Sequence, residues 1–232
     1  IRAIHAGRTT LVSTGTGSGK TETFLYPIIS RCLELRDQKA PEALVAVLVY
    51  PMNALAEDQL LRLRGLLAGT GISFGMYVGR TPERRADVTG KRLRAGSSRQ
   101  DYLAAFDRAQ KERSGAVHPA EERVSREEMR DPATRPRILL TNVKQLELLL
   151  TRQKDVEIFD GARLDYLVFD EAHTYGGATG AETACLIRRL RAWCGRGPDD
   201  TVCIGTSATL ADPDGGEKAA QDFACRFFGV KG

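Results

Sequence analysis

Thr9-Thr10-Leu11-Val12-Ser13-Thr14-Gly15-Thr16-Gly17-Ser18-Gly19-Lys20-Thr21-Glu22-Thr23-Phe24-Leu25 changes character twice within seventeen residues. As far as Ser13 it is short, β-branched and apolar, the composition of a buried strand. Over 20–36 the apolar residues Phe24, Leu25, Ile28, Ile29 and Cys32 fall on one side of a helix. Glycines in the turn between let the backbone curl so that successive N–H groups face inward, a nest for anionic oxygens. The helix N-terminus behind the turn adds partial positive charge. Thr14, Gly15, Thr16, Gly17, Ser18 and Gly19 are therefore candidate phosphate contacts. Lys20 is placed to reach the β- and γ-phosphates of ATP, and the Thr21 hydroxyl to ligate Mg²⁺. The spacing G-x-G-x-G-K does not fit a dinucleotide-binding turn.

Outward from this unit the alternation repeats. Strands are predicted at 9–13, 44–50, 137–141, 164–170 and 201–205, with a weaker one at 73–78. The clearest are nearly continuous apolar runs, as strands covered on both faces should be. Helical periodicity occupies 20–36, 54–67, 143–150, 178–193 and 217–228. Strands alternating with helices predict βαβ units, a mostly parallel sheet flanked by helices, and ligands at the carboxyl ends of the strands. Segment 81–136 breaks the rhythm: it is highly charged, shows no clear strand and has one helical stretch at 100–113. It reads as a charged helical insertion within one domain spanning 1–232.

Composition sets limits. With 232 residues, 42% hydrophobic and 28% charged, the chain can bury the core of an α/β domain. No run reaches the roughly 18 apolar residues of a membrane span. It opens Ile1-Arg2-Ala3-Ile4 without an initiator Met or a targeting pattern, and is expected to be a piece of a longer protein. The scattered Cys32, Cys185, Cys194, Cys203 and Cys225 suit reduced thiols in a cytoplasmic protein, not disulfides, zinc or an iron–sulfur cluster. The net charge of +4 is uneven: residues 80–99 hold seven bases against two acids. Arg84, Arg85, Arg92 and Arg94 in that cluster are candidate phosphate-backbone contacts, against the alternative of a solvated loop.

Two further strand ends carry chemistry. In Leu167-Val168-Phe169-Asp170-Glu171-Ala172-His173 an apolar strand ends in adjacent carboxylates, 150 positions beyond Lys20. Asp170 would hold Mg²⁺ while Glu171 positions and deprotonates an attacking water. His173 has no second ligand at metal-binding spacing and is expected to bridge the nucleotide site to the next motif. That motif, Gly205-Thr206-Ser207-Ala208-Thr209-Leu210, offers Ser207, Ala208 and Thr209 as a coupling element.

Together these motifs resemble those of superfamily 2 DEAD/DEAH-box helicases, over nearly the whole chain. In that family Thr is tolerated at the position of Thr14. The resemblance implies a RecA-like P-loop NTPase domain, the first of two lobes, binding ATP and Mg²⁺. Tyr50-Pro51-Met52-Asn53-Ala54-Leu55-Ala56-Glu57-Asp58-Gln59 looks like the family's first strand-contacting motif, which would engage Pro51, Asn53 and Gln59. Thr141-Asn142 looks like a later one, and Gly79-Arg80 falls where a third is placed. Asn53 and Asn142 could equally cap the helices that follow. The combination Y-P-M-N-A-L, L-L-T-N and D-E-A-H-T-Y is more similar to bacterial DNA helicases of the mitomycin-repair-factor type, and to helicase-like subunits of phage-defence systems such as DISARM, than to DEAD-box RNA helicases. Tyr175 and Trp193 could stack on a base, although Trp193 at the end of an amphipathic helix reads better as core.

The expectation is therefore the ATP-hydrolysing lobe of a DNA helicase or translocase, working with a second lobe and with defence or repair partners. An RNA-directed helicase and a nucleic-acid clamp with a vestigial ATPase are the alternatives. The intact Lys20, Thr21, Asp170 and Glu171 weigh against the clamp. Without the second lobe's arginines, this piece should turn nucleotide over slowly and unwind nothing alone.

Overall fold

The apolar runs align as a single parallel sheet. The computed structural model describes residues 1–13, 19–207 and 216–230. Strands are β1 (Thr10–Ser13), β2 (Ala46–Tyr50), β3 (Phe74–Met76), β4 (Lys91–Arg92), β5 (Val117–His118), β6 (Glu122–Arg123), β7 (Ile138–Asn142), β8 (Tyr166–Phe169) and β9 (Val202–Ser207). Helices are α1 (Arg2–His5), α2 (Lys20–Asp37), α3 (Asn53–Leu67), α4 (Arg99–Glu112), α5 (Arg126–Arg130), α6 (Val143–Thr151), α7 (Gln153–Val156), α8 (Gly177–Trp193) and α9 (Gly216–Phe228). The sheet runs β1-β9-β8-β2-β7-β3-β6, and its pairings are parallel. All its carboxyl ends therefore share one edge. The expected RecA-like α/β architecture is present.

Alternation along each strand divides the core between two faces. Val47, Val49, Leu139, Leu167, Phe169 and Cys203 pack with Leu146, Leu149, Leu186, Ile187 and Leu190 of α6 and α8. Ala46, Leu48, Tyr50, Ile138, Leu140, Val168 and Ile204 pack with Phe24, Leu25, Ile28, Leu60 and Leu63 of α2 and α3. Burial of each large side chain is worth about 1.5–3 kcal/mol, which is why both faces must be covered. The predicted strand 164–170 begins later, at Tyr166, because Leu164 takes φ 43° and turns the chain first.

Segment 81–136 differs from its expected strandless character. β4 and β5 pair with each other, and β6 joins the main sheet beside β3, with Phe74 opposite Glu122 and Gly75 opposite Arg123. Gly75 admits this close approach: a Cβ there would lie 2.8 Å from Met129 Sδ and 2.9 Å from Arg123 O. Beneath, buried Arg64 of α3 donates through Nε and Nη2 to Glu122, both at 2.7 Å, with His118 Nδ1 3.1 Å from Glu122. Burial alone would raise the Glu122 carboxyl; hydrogen bonds from His118 and Arg64 overrule it and hold the group below its ordinary range. Arg130 clips α5 to α7 by donating to Asp155 at 2.9 Å, where Tyr77 Oη also donates at 2.6 Å.

Candidate nucleotide site and nucleic-acid track

At the carboxyl edge, β1 leads in sequence to Gly19 and Lys20, β8 to the two carboxylates, and β9 ends in a hydroxyl pair. Gly19 precedes α2 with φ 81° and ψ 21°, a left-handed conformation that glycine adopts without Cβ strain. Lys20 follows, its side chain 12% exposed and its Nζ 3.7 Å from Glu171 Oε1. That ammonium and the Ser13 hydroxyl are buried without hydrogen-bond partners among the described residues. Thr14, Gly15, Thr16, Gly17, Ser18, Ala208 and Thr209 lie outside the described residues.

Asp170 accepts a short hydrogen bond from the Thr206 hydroxyl, and Thr206 Oγ1 in turn accepts from Glu171 N–H at 3.1 Å. Burial raises the Asp170 carboxyl above its ordinary value; Thr206 opposes the shift and the neighbouring Glu171 charge adds to it. Glu171 sits at φ 50° and ψ 50°, unusual for a residue with a Cβ and costly by about 1–3 kcal/mol. Its carbonyl is held by Thr174 N–H at 2.9 Å and Thr174 Oγ1 at 2.8 Å. His173 Nδ1 lies 3.3 Å from Glu171 Oε2 and 3.2 Å from Ser207 Oγ. A chain of contacts thus runs Lys20–Glu171–His173–Ser207. Thr206 was absent from the sequence-derived set. The strand register could have found it, because Phe169 pairs with Gly205 and places the next residues, Asp170 and Thr206, side by side.

The nucleic-acid candidates occupy the neighbouring strand ends. Asn142 caps α6, its Oδ1 accepting from Gln145 N–H at 2.7 Å, while its Nδ2 donates to Asn53 Oδ1 at 2.7 Å. Asn53 is exposed and caps nothing: the α3 cap position is Met52, without a side-chain bond. Pro51 and Gln59 are half-buried, and Gly79 and Arg80 are exposed on the turn after β3. Thr141 is buried, and its hydroxyl donates to Tyr77 O at 2.8 Å.

The basic cluster is also less uniform than its composition. Half-buried Arg92 turns inward to Glu128 and to the Glu122 carbonyl, so it offers no free charge. Arg85 faces Glu128 at 3.9 Å, and Arg80 pairs with Glu57. Arg84 and Arg94 are exposed. Carboxylates distant in sequence were invisible to a local charge count. Trp193, expected in the core, is 52% exposed, whereas Tyr175 is buried against Phe169 and Phe227.

A parallel sheet with a glycine turn after its edge strand and strand-end carboxylates facing the following lysine defines a RecA-like P-loop nucleotide-binding domain. The chain belongs to the DEAD/DEAH box helicase family, whose profile matches residues 1–95 and 99–214. It is 33% identical to the Druantia protein DruE of Escherichia coli (strain UMEA 4076-1), over 91% of this chain and 15% of that protein. It is 27% identical to the uncharacterized ATP-dependent helicase YprA of Bacillus subtilis (strain 168), over 90% of this chain and 22% of YprA. The chain therefore spans less than a quarter of either relative. The crystal structure of the DUF1998 helicase MrfA bound to DNA and AMPPNP matches 99% of this chain and 25% of MrfA, with a TM-score of 0.61 and 25% identity.

Proposed function

We propose that this chain is the ATP-hydrolysing lobe of a DNA helicase or translocase. The observation that carries the reading is the 3.7 Å approach of Lys20 Nζ to Glu171, 151 positions away, on the sheet edge that also presents Asn53, Asn142 and Arg80. The buried ammonium of Lys20, which makes no hydrogen bond among the described residues, fits an anionic phosphate, and the carboxylate of Asp170 with the hydroxyl of Thr21 fits Mg²⁺. Mg²⁺ held there would neutralise charge on the phosphates. Lys20 would orient the terminal phosphates. Glu171 would accept the proton of the attacking water, with His173 keeping its carboxylate aimed. Through Ser207, His173 would also sense the third motif.

On the other half of the edge, Asn53, Asn142 and the Gly79–Arg80 turn would grip sugar-phosphate without reading bases. Arg84 and Arg94 of segment 81–136, read as an insertion, would add backbone contacts. DNA as substrate is supported by the likeness to MrfA, whose structure holds DNA. A second lobe, a cytoplasmic setting and a role in phage defence or DNA repair belong to the same proposal and rest on the sequence resemblance. Among the described residues, no helix is long and apolar enough to cross a membrane.

The test is ATP turnover by the full-length protein, alone and with single-stranded DNA or RNA of one sequence. Stimulation by DNA that disappears in Lys20→Ala is expected. Stimulation by RNA alone would redirect the substrate, and no stimulation by either would remove the motor reading.

A further inference from the structure

The turn carrying Gly79 and Arg80 is held from outside by segment 81–136. Arg126, the first residue of α5, donates from Nη2 to the carbonyls of Val78 at 3.2 Å and Gly79 at 2.8 Å. Its guanidinium carbon lies 5.1 Å from the centre of the Tyr77 ring. Two backbone bonds extend the seam, from Arg126 N–H to Pro82 O at 2.9 Å and from Glu127 N–H to Glu83 O at 3.0 Å. Inside the turn, Thr81 N–H donates to Val78 O at 3.0 Å, while Thr81 Oγ1 donates to Met76 O and accepts from Val78 N–H, each at 2.9 Å. Tyr77 is fixed in turn by Asp155 and Thr141.

The peptide plane turns these bonds into an orientation. The chain has no cis peptide bond among the described residues, so each N–H points opposite to the carbonyl of its own peptide unit. With the Val78 and Gly79 carbonyls tied to Arg126, the N–H groups of Gly79 and Arg80 point away from it. Among the described residues, neither N–H finds an acceptor. Two adjacent amides without acceptors, beside the exposed Arg80 guanidinium that an anion would share with Glu57, make an anion-binding surface whose aim is set by a residue some 46 positions away.

We infer that Arg126 is a positioning residue for the nucleic-acid grip, and that segment 81–136 acts through it as a brace for the Gly79–Arg80 turn. The inference rests on the reading of that turn as a backbone contact. Arginine suits the task because its planar fork can reach two carbonyls while stacking on an aromatic ring, which a lysine ammonium cannot do.

The experiment compares Arg126→Ala, Arg126→Lys, Arg80→Ala and Arg80→Ala/Arg126→Ala in the full-length protein, measuring DNA affinity, the DNA concentration giving half-maximal ATP turnover, and kcat at saturating DNA. Arg126→Ala should weaken DNA binding about tenfold, the loss typical of a charge-assisted contact. It should raise the half-maximal DNA concentration similarly while kcat changes less than about twofold. Arg126→Lys should recover part of the loss. Because Arg126 aims the Arg80 side chain together with the two amides, its removal should cost less in the Arg80→Ala background than in the wild type, and hydrogen exchange at the Thr81 amide should quicken. Multiplicative losses in the double variant, with exchange at the Thr81 amide unchanged by Arg126→Ala, would make Arg126 a separate contact and overturn the positioning role. So would a loss shared equally by nucleotide affinity and not relieved by lysine. Unchanged DNA binding in Arg126→Ala sinks this inference alone; a wild-type protein that binds no nucleic acid takes the functional reading down with it.

Discussion

Lys20 and Asp170 occupy positions that the fold alone would not choose. An ammonium with one carboxylate at 3.7 Å and no hydrogen bond among the described residues is poorly satisfied, and an anionic ligand relieves it. Lys20→Ala should weaken ATP binding by at least about tenfold, read by fluorescence titration with a labelled analogue. Glu171→Gln keeps the shape and removes the base. Nucleotide affinity should survive while turnover falls by roughly 10²–10⁴. Asp170 gives a pH signature. Burial raises its folded pKa above the ordinary value, so its ionised form opposes folding, and stability falls as pH rises from 3.8 through the raised folded value. Asp170→Asn removes that cost. Without Mg²⁺ the variant should melt at or above the wild-type temperature near neutral pH, and the difference should vanish below pH 3.8. A variant less stable than wild type at neutral pH would show that the ionised carboxylate is structurally needed.

Elements of this fold were legible in proportion to how local their causes are. Strands β2, β7, β8 and β9 announce themselves because a parallel strand covered on both faces must be apolar at nearly every position. The candidate nucleotide-site residues stood out in the sequence because closely spaced glycines after a strand have few other uses. Strands β4, β5 and β6 were not. Each has two residues, mostly charged or polar, and exists through partners far along the chain. The Arg64–Glu122 pair is the clearest case, joining α3 to the sheet edge across 58 positions. Glu122→Ala would leave a buried guanidinium without its counter-charge, at a cost of about 3–5 kcal/mol in urea denaturation. Replacing both partners by apolar residues, Arg64→Met with Glu122→Leu, should cost much less, since a buried ion pair is weak evidence of net stabilisation. A single variant as stable as wild type would mean that the edge strand contributes little to the fold.

At the scale of the molecule, the parallel sheet puts the candidate nucleotide site and the proposed nucleic-acid track on one continuous edge, separated by the width of a few strands. A short ion pair joins them: Glu22 of α2, two residues after Lys20, meets Arg62 of α3 at 2.7 Å, three residues after Gln59. The ion pair therefore ties the first turn of α2 to the helix that begins at Asn53. The same edge is open. Glu171 and His173 keep side-chain exposures of 27% and 35%, so water reaches the base and weakens the electrostatic leverage a closed site would give. Among the described residues, one lysine or arginine, Lys20, comes within 4 Å of the Asp170–Glu171 carboxylates. A covering lobe that excluded water and supplied arginine charge would be worth roughly 10³–10⁵ in rate. Residues 1–232 prepared alone should therefore bind ATP detectably, yet turn it over at no more than about a thousandth of the full-length rate, unresponsive to DNA. Single-turnover hydrolysis of both preparations, with and without DNA, decides the matter. A DNA-stimulated rate in the short chain equal to that of the full-length protein would mean that this edge is complete by itself, and that the second lobe serves something other than the chemistry.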